Sequence, residues 1–262
     1  INFLRMETIG NEPKAKRFGK VAIDIISFVT LAVIIITILG IPFSSVFQKL
    51  GKEGADKMFY FVLSETLMLI GIFLSAWIVW HFRGVSLAGL GRSLAIRKKD
   101  LLSGISLAIV LYAVGFGVSL LAGAIEIAGV VFNPSSLLIS FVFFLLVAIT
   151  EEFALRGFVL ERMLQGGVNK FWALFLSATL FSLVHIANPN FDFLSFINIL
   201  LAGILLGSSY ISGNKFCDGL LTLYLPETNL INGGAFGFEG SILCTVLMVA
   251  GTAVILKMFR KN

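Results

Sequence analysis

Two adjacent glutamates at the end of an apolar run are the first residues that could do chemistry. Glu151 and Glu152 follow the strongly apolar stretch 137–149, and Arg156 comes four residues after Glu152. In a helix this spacing places Glu152 and Arg156 on one face, where they can form an ion pair. Glu151 points about 100° away from that face. The pattern therefore predicts an ion pair beside a carboxylate that could act as a general base.

A histidine in another apolar stretch could complete such a site. His185 ends the sequence FSLVH, and the short connection 166–169 joins its predicted helix to the glutamate helix. The two helices should therefore be antiparallel neighbours. Glu151 and His185 are equally far from Val168 along the chain, about 25 Å at helical rise, so both should lie at one depth. Two glutamates, an arginine and a histidine in a low-dielectric pocket could activate a water molecule. A surface ion pair at a cytoplasmic helix end is the alternative.

The composition determines what kind of element carries these residues. Of the 262 residues, 58% are hydrophobic and 13% are charged, against about 45–50% and about 25% in soluble domains. This excludes a water-soluble enzyme and a disordered chain, and two cysteines are too few for a disulfide scaffold. Several apolar runs reach the roughly 20 residues that a membrane-crossing helix needs. We therefore predict an all-α, polytopic transmembrane helix bundle.

Seven spans and their orientation follow from the apolar runs and the loop charges. Five basic residues precede the first span, which predicts a cytoplasmic N-terminus in a multi-pass cell-membrane protein. The net charge of +5 is explained by such loops, and we expect no nucleic-acid partner. The predicted spans are Val21–Ile41, Met58–Trp80, Leu101–Gly123, Leu137–Arg156, Phe171–Ile186, Phe193–Ile211 and Ser241–Phe259.

The basic C-terminal tail conflicts with an odd number of spans. Seven crossings would place Lys257, Arg260 and Lys261 outside, so an eighth span should be missing between residues 213 and 240. Tail charges tolerated on the outer side are the alternative. We divide the chain into a cytoplasmic segment 1–20, N-terminal transmembrane helices 21–123, and core helices 137–259 with a disrupted connection over 213–240.

Other ionisable residues at membrane depth are candidates for function because they are costly there. Asp24 and Glu65 lie one to two turns inside the first two spans, and we expect each to reach an interface. Glu126 should be solvated, and His81 should occupy an interfacial position beside Trp80.

The polar residues resemble the motifs of a known family. Residues 151–156 read EEFALR and match the EExxxR motif of the CPBP family, the CaaX-protease and bacteriocin-processing intramembrane endopeptidases. Residues 181–185 match its FxxxH motif. The residues that follow also resemble the core of bacterial members: Asn188, Pro189, Asn190, Asn198, Gly203, Gly207 and Tyr210.

The resemblance implies peptide-bond hydrolysis inside the membrane. Glu151 and His185 would polarise the attacking water, directly or as ligands of a metal ion such as Zn²⁺. Glu152 and Arg156 would hold the helix geometry and the local charge. The implied partners are membrane lipids and a peptide or protein tail, either a prenylated CaaX tail or a leader peptide.

One family motif is missing from this sequence. Members carry a later HxxxN or HxxxD motif after a turn like Ser212-Gly213-Asn214, but here Lys215 and Phe216 follow, and no histidine comes after His185. The chain therefore resembles a member with an internal deletion, at the place where the topology requires another span. Loss of an oxyanion donor typically costs about 10²–10³ in rate, so we predict impaired activity. A non-catalytic protein of the same fold, for bacteriocin self-immunity or as a scaffold, is the main alternative. A transporter is a weaker one, because we find no inverted repeat.

Overall fold

The described part of the chain is almost entirely helical. The computed structural model describes residues 13–44, 54–83, 98–129, 132–212, 229–231, 233, 236 and 238–259. The α-helices are α1 (Lys14–Gly40), α2 (Gly54–Arg83), α3 (Lys98–Leu121), α4 (Pro134–Glu151), α5 (Glu161–Gln165), α6 (Lys170–Val184), α7 (Phe193–Ser212) and α8 (Ile242–Phe259). A π-helix, Glu152–Leu160, joins α4 to α5, and 3₁₀ turns occur at Ile41–Phe43 and Phe238–Gly240.

The prediction of a helical membrane bundle is confirmed. Within the described residues, three helices are long and apolar enough to cross a membrane: Ala15–Phe43, Phe59–Arg83 and Pro134–Gln165. Four shorter apolar helices accompany them: Ile105–Leu121, Lys170–Val184, Phe193–Ser208 and Ile242–Ile255. The number of crossings and the cytoplasmic N-terminus stay predictions. Of the connection over 213–240, where a missing span was predicted, residues 213–228, 232, 234, 235 and 237 lie outside the described residues, and the deletion stays a prediction.

The chain forms two compact units, and the glutamate helix belongs to the first. This unit comprises Ile1–Leu94 and Asn133–Ala173. Helix α1 packs against α2, and α2 packs against α4. Stacked rings join the elements: Phe28 lies 4.1 Å from Phe158 and Phe73 lies 4.0 Å from Phe153, measured between ring centroids. These two ring pairs hold α1 and α2 against the π-helix.

A glycine permits the close approach of α1 and α2. A Cβ atom at Gly71 would overlap the side chain of Ile36 and lie 3.5 Å from its Cα atom. Only a residue without a side chain fits there, so Gly71, near the middle of α2, lets that helix come close to α1 at Ile36, near the C-terminal end of α1.

The second unit comprises Ala95–Phe132 and Leu174–Asn262. Helix α8 packs against α3 and α7, and a Cβ atom at Gly203 of α7 would lie 2.9 Å from Ala178 of α6. In this unit α7 is therefore in contact with both α6 and α8.

Asp192 is the N-cap of α7. Its carboxylate accepts hydrogen bonds from the Ser195 hydroxyl at 2.6 Å and the Ser195 backbone N–H at 2.7 Å. These bonds, the hydroxyl bond first, hold the pKa of Asp192 below its usual value of 3.8. A carboxylate near a helix N-terminus also interacts favourably with the helix dipole.

We expect Asp192→Ala to lower the thermal midpoint by about 2–4 °C at neutral pH. Because the pKa of Asp192 is lower in the folded protein, its stabilisation is present above the ordinary value and is lost as the pH falls through the folded value. The difference between wild type and variant should therefore shrink in acid. Thermal scans at neutral and acidic pH measure it, and a difference that grows in acid would contradict the assignment.

Candidate functional site

The two glutamates lie at a change of helix type. Glu151 is the last residue of α4 and Glu152 is the first residue of the π-helix. The predicted ion pair is present: Nη1 of Arg156 lies 3.3 Å from Oε1 of Glu152. Arg156 is only 1% exposed, so its charge needs the carboxylate close by.

The π-helix was not predicted from the sequence, which was interpreted as one continuous α-helix through Arg156. The backbone N–H of Glu161 bonds to the carbonyl of Arg156, five residues back. Such wide turns are rare and occur frequently at functional sites. Two rings of the π-helix stack on rings of other helices: Phe153 stacks on Phe73 of α2, and Phe158 stacks on Phe28 of α1. Contacts with two other helices are a tertiary effect that local sequence does not report.

Asp24 joins three helices through a buried ion cluster. Its carboxylate lies 2.7 Å from Nη2 of Arg162 on α5 and accepts a hydrogen bond from Nε of Arg83 at the end of α2. Asp24 is 2% exposed and Arg162 is 4% exposed. Asp24 is therefore enclosed by protein and paired there, and its position at a membrane interface stays a prediction. A charge this deeply buried requires a partner, and Arg162 supplies it.

Glu65 is also buried, although an interfacial position was expected. It is 7% exposed on α2, and its carboxyl lies beside Thr150, the residue before Glu151. The charge of Glu151 acts on it as well. Sequence patterns did not connect these residues, because they lie on different helices.

His185 lies just after a helix, not deep inside one. Helix α6 ends at Val184, and residues 185–187 form a turn. Pro189 explains the helix end, because proline has no N–H to continue the helical hydrogen bonds and disfavours helical geometry before it. Asn190 then has a left-handed backbone with φ 60°.

The ring of His185 is oriented by its own helix. Its Nδ1 atom lies 2.7 Å from the carbonyl oxygen of Phe181, and the two rings are 4.8 Å apart, edge to face. A carbonyl can only accept, so Nδ1 carries the hydrogen. In the neutral ring the lone pair is therefore on Nε2, the nitrogen that could hold a water molecule or a metal.

The structure places the predicted site residues in different units. Glu151, Glu152 and Arg156 belong to the first unit and His185 to the second. The first three are brought together by one helix, as expected. A shared pocket with His185 stays a prediction, as do the catalytic roles. Glu126, expected to be solvated, is exposed.

The described residues offer a sparse ligand set for zinc. Among them, no three His, Cys, Asp or Glu side chains are grouped closely enough to hold a metal ion. Glu151 and His185 alone would be fewer than the three protein ligands that a catalytic zinc usually has. The residues that the structure describes therefore do not make a complete zinc site, and zinc binding stays a prediction.

Asn198 is a structural residue that motif analysis noted without giving it a role. Its Nδ2 donates to the carbonyls of Glu239 and Ser241, each at 2.7 Å, and its Oδ1 accepts from the Thr245 hydroxyl. These partners lie in the segment that leads into α8 and in the first turn of that helix. Asn198 thus fixes the start of α8 to α7. A polar amide within an otherwise apolar helix is the sequence feature that could have indicated this role.

Comparison with known proteins supports the resemblance over part of the chain. Residues 133–222 match the family described as Rce1-like, type II CAAX prenyl endopeptidase Rce1-like. The match includes both the Glu151–Arg156 motif and His185, and it confirms the CPBP resemblance for this stretch. No curated protein and no solved structure matches the chain.

Proposed function

We propose that this protein is an intramembrane endopeptidase of the CAAX type, which hydrolyses a peptide bond in the tail of a membrane-bound peptide or protein. The observation that carries the proposal is the family match over residues 133–222, because it contains both polar motifs in one stretch. The burial of Arg156 beside Glu152 supports it further.

In the proposed reaction, Glu151 is the general base. It takes a proton from a water molecule, and the oxygen attacks the carbonyl carbon of the scissile bond. The C–N bond then breaks, and the same proton passes to the leaving amine. The products are one carboxylic acid and one amine, and transfer of the acid's proton to the amine gives a carboxylate and an ammonium group, with no other reactant consumed.

His185 would orient the attacking water in this mechanism. The bond from Nδ1 to the Phe181 carbonyl fixes the ring, so Nε2 can accept a hydrogen from the water. Glu152 neutralises Arg156 and keeps the helix turn in place. Because the HxxxN or HxxxD motif is missing, we propose that turnover is slowed by about 10²–10³ relative to a site with that donor.

The proposal predicts slow hydrolysis of a prenylated peptide. The protein is reconstituted into liposomes with an internally quenched, farnesylated peptide that ends in a CaaX sequence, in water enriched in ¹⁸O. Mass spectrometry should find one ¹⁸O atom in the new carboxylate, since water supplies that oxygen. The unprenylated peptide and a leader-type peptide test the substrate class. No labelled product from any of the three would contradict the proposal and favour the non-catalytic alternative.

A further inference from the structure

The backbone hydrogen bonds at the end of α6 become tighter at His185. In a continuing α-helix the backbone N–H of His185 would bond to the carbonyl of Phe181, four residues back. It bonds instead to the carbonyl of Ser182, three residues back, at 3.1 Å. The Phe181 carbonyl is therefore available to Nδ1 of the His185 ring, which lies 2.7 Å away. The orientation of the ring thus depends on this tight turn.

The hydroxyl of Ser182 ties this turn to another helix. It donates to the carbonyl oxygen of Phe196 in α7 at 2.8 Å, and Ser182 is completely buried. Serine and threonine hydroxyls inside helices can bond back to their own helix, as the hydroxyl of Thr179 in α6 does with the carbonyl of Phe175. Ser182 makes a bond between helices instead, and its own carbonyl is the one that accepts the His185 N–H.

A close approach of the two helices brings Ser182 within reach of α7. A Cβ atom at Gly203 of α7 would lie 2.9 Å from Ala178 and 3.2 Å from the Phe181 ring. The missing side chain of Gly203 therefore lets α6 and α7 come together there. Helix α7 thus contacts Phe181 through its ring and the next residue, Ser182, through its hydroxyl. These contacts and His185 all lie within the second unit.

We propose that Ser182 is a positioning residue for the reaction, because its bond to α7 keeps the end of α6 in the tight turn that leaves the Phe181 carbonyl to the His185 ring. Nδ1 then carries the hydrogen, and Nε2 keeps the lone pair that accepts a hydrogen from the attacking water. Without the hydroxyl bond, the backbone N–H of His185 can return to the Phe181 carbonyl and compete with the ring for it. The effect on the reaction rests on the proposed function, whereas the effect on the ring does not.

The state of the ring can be measured directly, because the sequence contains only two histidines. Solid-state NMR of ¹⁵N-histidine-labelled protein in liposomes distinguishes protonated from unprotonated ring nitrogens, and His81→Gln assigns the His185 signals. In alkaline buffer, where the ring is neutral, we expect wild type to carry the hydrogen on Nδ1. Ser182→Ala should show a second population with the hydrogen on Nε2. Its kcat on the farnesylated peptide should fall about fivefold, as for the loss of one hydrogen bond, with KM unchanged.

Thr179→Val is the matched control on the same helix. It removes a hydroxyl whose bond stays within α6, so its ring spectrum and its kcat should match those of wild type. Gly203→Ala changes the contact between the helices from the side of α7, because the added Cβ atom would push against Ala178 and Phe181. It should therefore also produce the second ring population.

The ring spectrum and the rate separate the two parts of the proposal. A single Nδ1–H population in Ser182→Ala, as in wild type, would overturn it, because the ring would then be oriented without the bond to α7. An altered ring with an unchanged kcat would overturn the positioning role in the reaction. If wild type makes no product, the proposed function fails, and the spectra of wild type and Ser182→Ala still decide whether Ser182 orients His185.

Discussion

Replacing Glu151 with glutamine should lower the rate of hydrolysis of the farnesylated peptide by about 10²–10⁴-fold. Glutamine has nearly the same size but cannot take a proton from water, and general bases typically contribute a factor of that order. The thermal midpoint should change little, because the substitution keeps the shape of the side chain at the end of α4. Release of the ¹⁸O-labelled product from reconstituted protein measures the effect.

Glu126→Gln is the control for this experiment. It makes the same chemical change at an exposed residue beyond the end of α3, so it should cleave at the wild-type rate. Equal rates for Glu151→Gln and wild type would exclude Glu151 as the base. The protein would then be a hydrolase with another base, or a contaminant would form the product. A control reaction without the protein would show whether the other reagents form the product.

The largest loss of stability should come from Asp24→Asn. This change leaves Arg162 buried, at 4% exposure, without the carboxylate that neutralises it. Removal of one partner of a buried ion pair typically costs about 3–5 kcal/mol, which corresponds to a midpoint lower by about 10 °C. Thermal unfolding of the purified protein in detergent or liposomes measures the shift.

Two further variants separate this explanation from a general defect. The Arg83 side chain is 35% exposed, so water can solvate Asp24's second partner, and Arg83→Gln should cost far less. The double variant Asp24→Leu with Arg162→Met removes both buried charges and should recover most of the lost stability. Equal losses in Asp24→Asn and Arg83→Gln, or no recovery in the double variant, would contradict the assignment.

Local spacing predicted the parts of the site that lie on one helix. The four-residue interval between Glu152 and Arg156 is a property of any helical turn, and their ion pair is present. The end of α6 was harder to predict, because a strongly apolar stretch concealed the effect of Pro189. His185 consequently lies in a turn, where its ring bonds back to the Phe181 carbonyl.

The sequence by itself determined that this is an all-helical membrane protein with a polar motif pair. Hydrophobic runs must form helices in lipid, because every backbone polar group needs a partner within its own segment. Only the tertiary structure decided that Asp24 pairs with Arg162, 138 residues away, and that Glu65 lies beside Thr150. Contacts between helices depend on how rings and glycines bring helix faces together, and no interval along the chain encodes that distance.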